Sequence, residues 1–184
     1  MRKESARRGT GRPLHIRAEF RAPLEFVYAW CTDFDAGDAE REREHYTRRV
    51  LRRTARQIVF EDLEDDPSGW QWSRHVVTLH PPNAWHSESI GSHRESSLDY
   101  VLTPLADGGT RLDLTWRRRP TARATTVRSH RAIERASTAS WKIFARALER
   151  DYRRSRPRPA KRSGPSSGPR VPTRPIRGPR PRGW

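Results

Sequence analysis

Alternating apolar and polar positions predict a strand near the start of the chain. Residues 14–20 place an apolar side chain at every second position, which is typical of a strand with one buried face. Pro23 suits the first turn of a helix, and apolar residues follow it at helical spacing over 24–32. The charged stretch 36–46 predicts a second, solvated helix. A strand followed by two short helices is therefore expected.

The middle of the chain predicts a run of antiparallel strands. The turn residues Pro81-Pro82-Asn83 and Asp107-Gly108-Gly109 separate apolar segments, and such residues favour hairpin turns. The predicted strands cover residues 49–52, 57–62, 70–79, 84–90, 96–104 and 110–118.

The last patterned segment predicts a long amphipathic helix. Residues 125–153 contain neither proline nor glycine, and Trp141, Phe144 and Leu148 fall on one stripe at helical spacing. The element order is that of an α+β domain with its helices at the two ends of one antiparallel run.

Charge divides the chain into three parts. The formal net charge is +16 over 184 residues, but residues 1–12 carry +4, and residues 154–184 carry ten basic side chains and no acidic one. The domain between them, residues 13–153, is close to neutral. The ends predict a disordered basic arm and a disordered, Arg/Pro-rich basic tail. The tail is expected to attract anionic membranes or nucleic acid weakly and in a salt-dependent way.

Several classes of site are excluded or disfavoured. A single cysteine, Cys31, rules out an internal disulfide and a CxxC metal site, and its apolar setting favours a buried structural thiol. No Walker A, dinucleotide-binding or HExxH motif is present. No secretory signal and no apolar run of about 20 residues is found, so we expect a cytoplasmic protein without a transmembrane segment. We expect no cofactor, and no metal, because His75, His80, His86 and His93 lack a compact ligand spacing.

Three local stretches, in this order and spacing, resemble a known superfamily. They are FRAPLEFVY at 20–28, CTDF at 31–34, and YVLTPL at 100–105 followed by GGTRL at 108–112. Over about residues 13–153 the chain resembles the START-like, or Bet v 1-like (SRPBCC), superfamily, and within it the polyketide cyclase/dehydrase and lipid-transport branch.

That resemblance implies the helix-grip fold. It is a curved antiparallel sheet of about six to seven strands wrapped around the long C-terminal helix, with two short helices after the first strand. A cavity between sheet and helix receives lipids, sterols, polyketides or other apolar molecules. Members range from carriers to cyclases, so the fold leaves the function open.

The cavity wall can be predicted from strand alternation. If Leu112, Leu114 and Trp116 face the concave side, Leu98, Tyr100 and Leu102 are their cross-strand partners. The predicted ligand-binding residues are Val77, Leu79, His86, Glu88, Leu98, Tyr100, Leu102, Leu114, Trp116, Trp141 and Phe144.

The hairpin over 70–90 supplies candidates for catalysis. A turn at Pro82-Asn83 would pair His86 with Leu79 and Glu88 with Val77, which sets polar groups on an apolar face. A shift of one residue would turn them to solvent. The catalytic candidates are His75, His86, Glu88 and Tyr100.

Two functions remain open from the sequence. The favoured one is binding or transport of an apolar small molecule, such as a lipid, a polyketide or an isoprenoid-like compound. The alternative is a cavity enzyme of the cyclase, dehydratase or hydrolase kind that uses histidine and glutamate as acid and base.

Overall fold

The computed structural model describes residues 12–42, 45–66, 69–92, 94–120 and 130–156. Residues 1–11 of the predicted arm and 157–184 of the predicted tail lie outside the described residues.

The described elements follow the predicted order. They are β1 (Leu14–Phe20), α1 (Leu24–Cys31), α2 (Asp38–Glu42), β2 (Tyr46–Arg53), β3 (Gln57–Asp66), β4 (Gly69–His80), β5 (Ala84–Gly91), β6 (Arg94–Pro104), β7 (Thr110–Pro120) and α3 (His130–Ser155).

The strands form one curved antiparallel sheet of seven strands in the order β1-β7-β6-β5-β4-β3-β2. Only the first strand is out of sequence: β1 pairs with β7, and Leu14 lies opposite Trp116. The expected α+β helix-grip architecture is confirmed, since two short helices follow β1 and one long helix closes the domain.

β3 is longer than the sequence pattern predicts. The predicted strand ends at residue 62, but β3 continues to Asp66. The added residues pair with β4, where Leu63 lies opposite Trp72 and Asp66 opposite Gly69. The acidic residue Asp62 has a partner on the other side, because Arg48 of β2 lies directly opposite it and the two side chains form an ion pair. An opposite-charge pair across two strands is stabilising, so an acidic residue with such a partner is compatible with a strand.

The core lies between the sheet and the helices. Phe20, Val27, Leu112 and Leu148 are fully buried and bring together β1, α1, β7 and α3. Trp141 of α3 meets Phe20 edge to face, with 6.3 Å between ring centroids. In the described ranges, no helix is both long enough and apolar enough to cross a bilayer.

The pairing predicted for β4 and β5 is wrong by one residue. A two-residue turn was expected, but the turn comprises Pro81, Pro82 and Asn83, and the ladder closes with His80 opposite Ala84. Asn83 is held by β6, because its amide Nδ2 and its carbonyl both bond the backbone of Leu102. Adding one residue to a turn moves every side chain of the following strand to the other face.

Candidate functional site

A cavity of about 290 Å³ opens between the concave face of the sheet and α3. All seven strands and all three helices of the described chain contribute to its wall. This volume is near the lower end of the range for small-molecule pockets. The fold therefore offers space for a compact ligand.

Aromatic side chains dominate the wall. Trp85 of β5 lies opposite Tyr100 of β6, and their rings stack at 4.6 Å and 11°. Trp141 of α3 meets Tyr100 edge to face at 6.3 Å, and Phe144 lies 5.1 Å from Trp141. The complete aromatic lining is Trp30, Phe34, Phe60, Trp85, Tyr100, Trp116, Trp141 and Phe144.

A second stack covers the β3–β4 side. Phe34 follows α1 with φ of +43°, a left-handed backbone conformation, and its ring stacks on Phe60 at 5.3 Å. Phe60 stacks in turn on His75, its ladder partner, at 4.6 Å and 9°. The Nε2 atom of His75 lies 3.0 Å from Ser73 Oγ. The flat ring of His75 therefore forms part of the cavity wall, and its Nε2 atom gives that ring one polar edge.

A buried arginine anchors the same side. The side chain of Arg48 is 7% exposed and forms two 2.9 Å hydrogen bonds to Asp62, a third to Asp38, and a cation–π contact 4.2 Å above Phe60. Burial lowers the pKa of Arg48, but the hydrogen bonds and charge of Asp62 more than offset this and leave the pKa above its usual value. Burial raises the pKa of Asp38, and the charge of Arg48 offsets part of that rise.

The segment between α1 and α2 carries an acidic cluster with its own counter-ion. Asp33, Asp35 and Asp38 place carboxylate oxygens within 4.8 Å of one another. Arg41 bonds Asp38 at 2.8 Å and Asp35 at 3.0 Å, and lies 3.5 Å from Asp33. Burial, together with the charges of Asp38 and Asp35, raises the pKa of Asp33 to about 6. Arg41 pairs the cluster internally, and Asp38 is its member among the cavity-lining residues, so we call the cluster the rim.

The lining residues of β5, β6 and β7 are uncharged, and at this end the Arg118 guanidinium lies 4.7 Å above the Trp116 ring. Ser87 and Ser89 of β5 and Ser96 of β6 are buried and line the cavity. The hydroxyl of Ser96 and the indole Nε1 of Trp116 are buried and find no hydrogen-bond partner among the described residues. Two polar groups at this end are thus available to a ligand.

His86 and Glu88 lie on the outer face of the sheet, contrary to the predicted pairing. His86 is opposite Thr78 and Glu88 is opposite Val76, so both side chains point away from the side occupied by Val77. His86 Nδ1 lies 2.7 Å from Asp99 Oδ1, and the side chain of Glu88 is 68% exposed. The two residues form a surface polar group outside the cavity lining.

The other predicted site residues divide into two sets. Val77, Leu79 and Leu102 belong to the core cluster or pack against it, and they are not among the lining residues. The register predicted for β6 and β7 is confirmed, with Leu102 opposite Leu112. The predicted residues that line the cavity are His75, Leu98, Tyr100, Leu114, Trp116, Trp141 and Phe144.

Sequence reasoning missed several lining residues, among them Arg48, Phe60, Trp85, Ser87 and Ser89. Trp85, Ser87 and Ser89 were missed because the predicted register directed the opposite face of β5 into the cavity. The alternation of Ile58 and Phe60 gave the signal for Phe60, which was assigned to a strand but not to the site.

Cys31 also lines the cavity. Burial of the thiol, with the charges of Asp33 and Asp38, raises its pKa above the ordinary value. A thiol held protonated in this way is a poor nucleophile.

Comparison with known proteins shows the fold and no more. No protein-family model matches the sequence. No curated protein matches it either. Among solved structures, the Zhui aromatase/cyclase of a Streptomyces species superposes with a TM-score of 0.62 at 17% identity, covering 79% of this chain and 96% of that one.

Two further structures give the same result. A START superfamily protein from Mycobacterium smegmatis superposes with a TM-score of 0.58 at 15% identity, covering 78% of this chain and 99% of that one. A protein from Thermus thermophilus has a TM-score of 0.62 at 15% identity, covering 78% and 98%. The likeness extends over nearly the whole length of each of these proteins.

Proposed function

We propose that this START-like helix-grip domain binds an apolar, aromatic small molecule in its cavity and acts as a carrier or sensor. The observation that carries the proposal is the cavity of about 290 Å³ whose wall includes eight aromatic side chains from the sheet and the helices. An apolar pocket with a few converging polar groups is the usual form of a small-molecule site. Solved structures of the same fold include an aromatase/cyclase and a START superfamily protein, which agrees with a ligand-binding role.

The charged residues of the wall support binding over chemistry. Arg48 is paired with both Asp38 and Asp62, and Asp38 is also paired with Arg41. A catalytic acid or base needs an atom that can exchange a proton with the substrate and a pKa suited to proton transfer. The paired charges are better suited to holding the wall in place.

Filling the cavity tests the proposal. Ser140 lines the cavity from α3, whereas its neighbour Ala139 is exposed on the same helix. Ser140→Phe is expected to reduce the affinity for naphthalene-type probes at least tenfold, because the added ring takes the ligand's space. Ala139→Phe, the matched control, is expected to leave it unchanged.

Two measurements complete this test. Titration calorimetry gives the affinities, and native mass spectrometry of gently purified protein identifies any molecule that is carried through purification. Equal binding by both variants would refute the cavity as the site.

A second candidate, acid–base catalysis in the same cavity, rests on His75. It is the one histidine among the lining residues of the described chain, and its Nε2 lies 3.9 Å from Asp62 Oδ2. If the protein is a carrier, His75→Gln keeps ligand binding within a few-fold. If it is an enzyme, conversion of the co-purified molecule falls by roughly a hundredfold or more. His86→Ala, on the outer face, is the control in both cases.

A further inference from the structure

Two cavity-lining residues that carry buried polar atoms without a partner in the described chain, Ser96 and Trp116, are neighbours on the sheet. Leu98 of β6 is the ladder partner of Trp116 on β7, and Ser96 is two positions from Leu98 on the same face. Ser96 and Trp116 are therefore diagonal neighbours on adjacent strands, an arrangement in which long side chains interact. Ser89 lies opposite Ser96 and adds a second buried hydroxyl residue.

Two other polar groups of the wall already have protein partners. Trp30 donates its indole N–H to Asp151 Oδ2 at 3.2 Å. Ser140 donates its hydroxyl to the carbonyl of Ala136 at 3.2 Å. Ser96 is 7% exposed and yet, like Trp116 Nε1, is left without a protein partner in the described chain.

The chemistry of these groups specifies what they bind. An indole N–H can only donate a hydrogen bond, and a serine hydroxyl can donate or accept one. A buried donor left unpaired is costly, so we expect water to accept from the Trp116 N–H when the cavity holds no ligand. A hydrocarbon that enters displaces this water without replacing its hydrogen bonds, whereas a ligand with an oxygen acceptor replaces them.

We propose that the ligand is an aromatic molecule with an oxygen acceptor at one end, received by the Trp116 N–H with Ser96 beside it. This rests on the proposed function, because it assumes that the cavity is the binding site. It adds a specificity rule: the protein prefers an aromatic ketone to the hydrocarbon of the same shape.

A pair of isosteric probes tests the rule. Acetylnaphthalene and isopropenylnaphthalene differ in a carbonyl oxygen that is replaced by a methylene group. Titration calorimetry on the full chain is expected to show roughly fivefold to tenfold tighter binding of the ketone, the size of one hydrogen bond to a buried donor. Trp116→Phe and Ser96→Ala are expected to lower this ratio, Trp116→Phe to near one, and the ratio is read within each variant so that a change in the affinity for both probes cancels.

Matched controls use the side chains whose polar atoms are committed elsewhere. Trp30→Phe and Ser140→Ala also remove an indole N–H and a hydroxyl from the wall, but these groups already have protein partners. Both variants are expected to keep the preference for the ketone.

An infrared measurement keeps the proposal open to refutation if Trp116→Phe does not fold. In the wild-type complex, the carbonyl stretching band of acetylnaphthalene is expected at lower frequency than in hexane. In the Ser96→Ala complex, this shift is expected to be smaller than in the wild-type complex. Equal affinities for the two probes, or an unshifted band, overturn the acceptor rule and leave the cavity function standing. Absence of binding by both probes overturns the rule and the proposed function together.

Discussion

Replacing Arg48 by methionine tests whether the buried arginine holds the cavity wall together. Methionine replaces the aliphatic stem of the arginine by another unbranched, apolar chain, and the guanidinium group is lost. The change leaves Asp62 and Asp38, each with a side chain 14% exposed, without the cation that both contact. Asp38 keeps Arg41 at 2.8 Å, so Asp62 bears most of the loss.

The expected cost is about 3–5 kcal/mol of unfolding free energy, which is the usual loss when one partner of a buried ion pair is removed. The geometry supports this range, because Arg48 forms two 2.9 Å bonds to Asp62 and stacks on Phe60. In a domain of this size each kcal/mol shifts Tm by roughly 3 °C. The melting temperature at pH 7 should therefore fall by roughly 10–15 °C.

The loss should also depend on pH, with a definite sign. The pKa of Asp38 already lies above its ordinary value in the folded protein, and removing Arg48 raises it further. A carboxyl group whose folded pKa is raised destabilises the fold above that pKa and ceases to do so once it is protonated. The difference between wild type and Arg48→Met should therefore shrink as the pH falls from 7 towards 4.

The assay is thermal unfolding followed by circular dichroism at several pH values. Arg17→Met is the matched control, because Arg17 forms a 2.9 Å cross-strand ion pair with Asp113 in which the arginine is 67% exposed. An exposed pair of this kind contributes less than about 1 kcal/mol. Equal losses in the two variants would show that burial of Arg48 does not govern the stability of this wall.

Two further predictions concern the rim and the tail. Asp33→Asn should raise Tm at pH 8 and have little effect near pH 4, because the carboxyl with a folded pKa of about 6 is charged in the first case and protonated in the second; a gain of the same size at both pH values would contradict this. Residues 157–184 carry eight basic side chains and no acidic one, so truncation after Arg156 should reduce co-sedimentation with anionic vesicles and gel shifts of nucleic acid at low salt. Undiminished binding of both polyanions would place the basic footprint elsewhere, on residues 1–12 or on the domain.

The architecture could be predicted from the sequence because its elements are locally specified. The alternation in β1 gives the bounds of that strand, and the long stripe of α3 has no proline or glycine to interrupt it. Leu112, Leu114 and Trp116 have an unambiguous buried face, which fixes their partners on β6. In each case the local pattern of apolar residues is compatible with one secondary structure and one buried face.

The site was harder to predict because it depends on choices that the local pattern leaves undecided. Trp85 and His86 are adjacent, and either can be inward according to the length of one turn. The partners of Arg48 come from α2 and β3, so its burial is a property of the tertiary structure. A periodicity argument classifies an arginine in a strand as exposed and cannot foresee two carboxylates from other elements.

The length of the turn at Pro81–Asn83 therefore decides the chemistry of the cavity. With two residues in the turn, β5 would direct His86, Glu88 and Ile90 inward, and the wall would contain an acid–base pair on an apolar surface. With three residues, β5 directs Trp85, Ser87 and Ser89 inward, and the wall is aromatic with neutral hydroxyl groups. The same eight-residue strand offers both faces, and the register set by the turn directs the face with Trp85 and the serines into the cavity and the face with His86 and Glu88 to the outside.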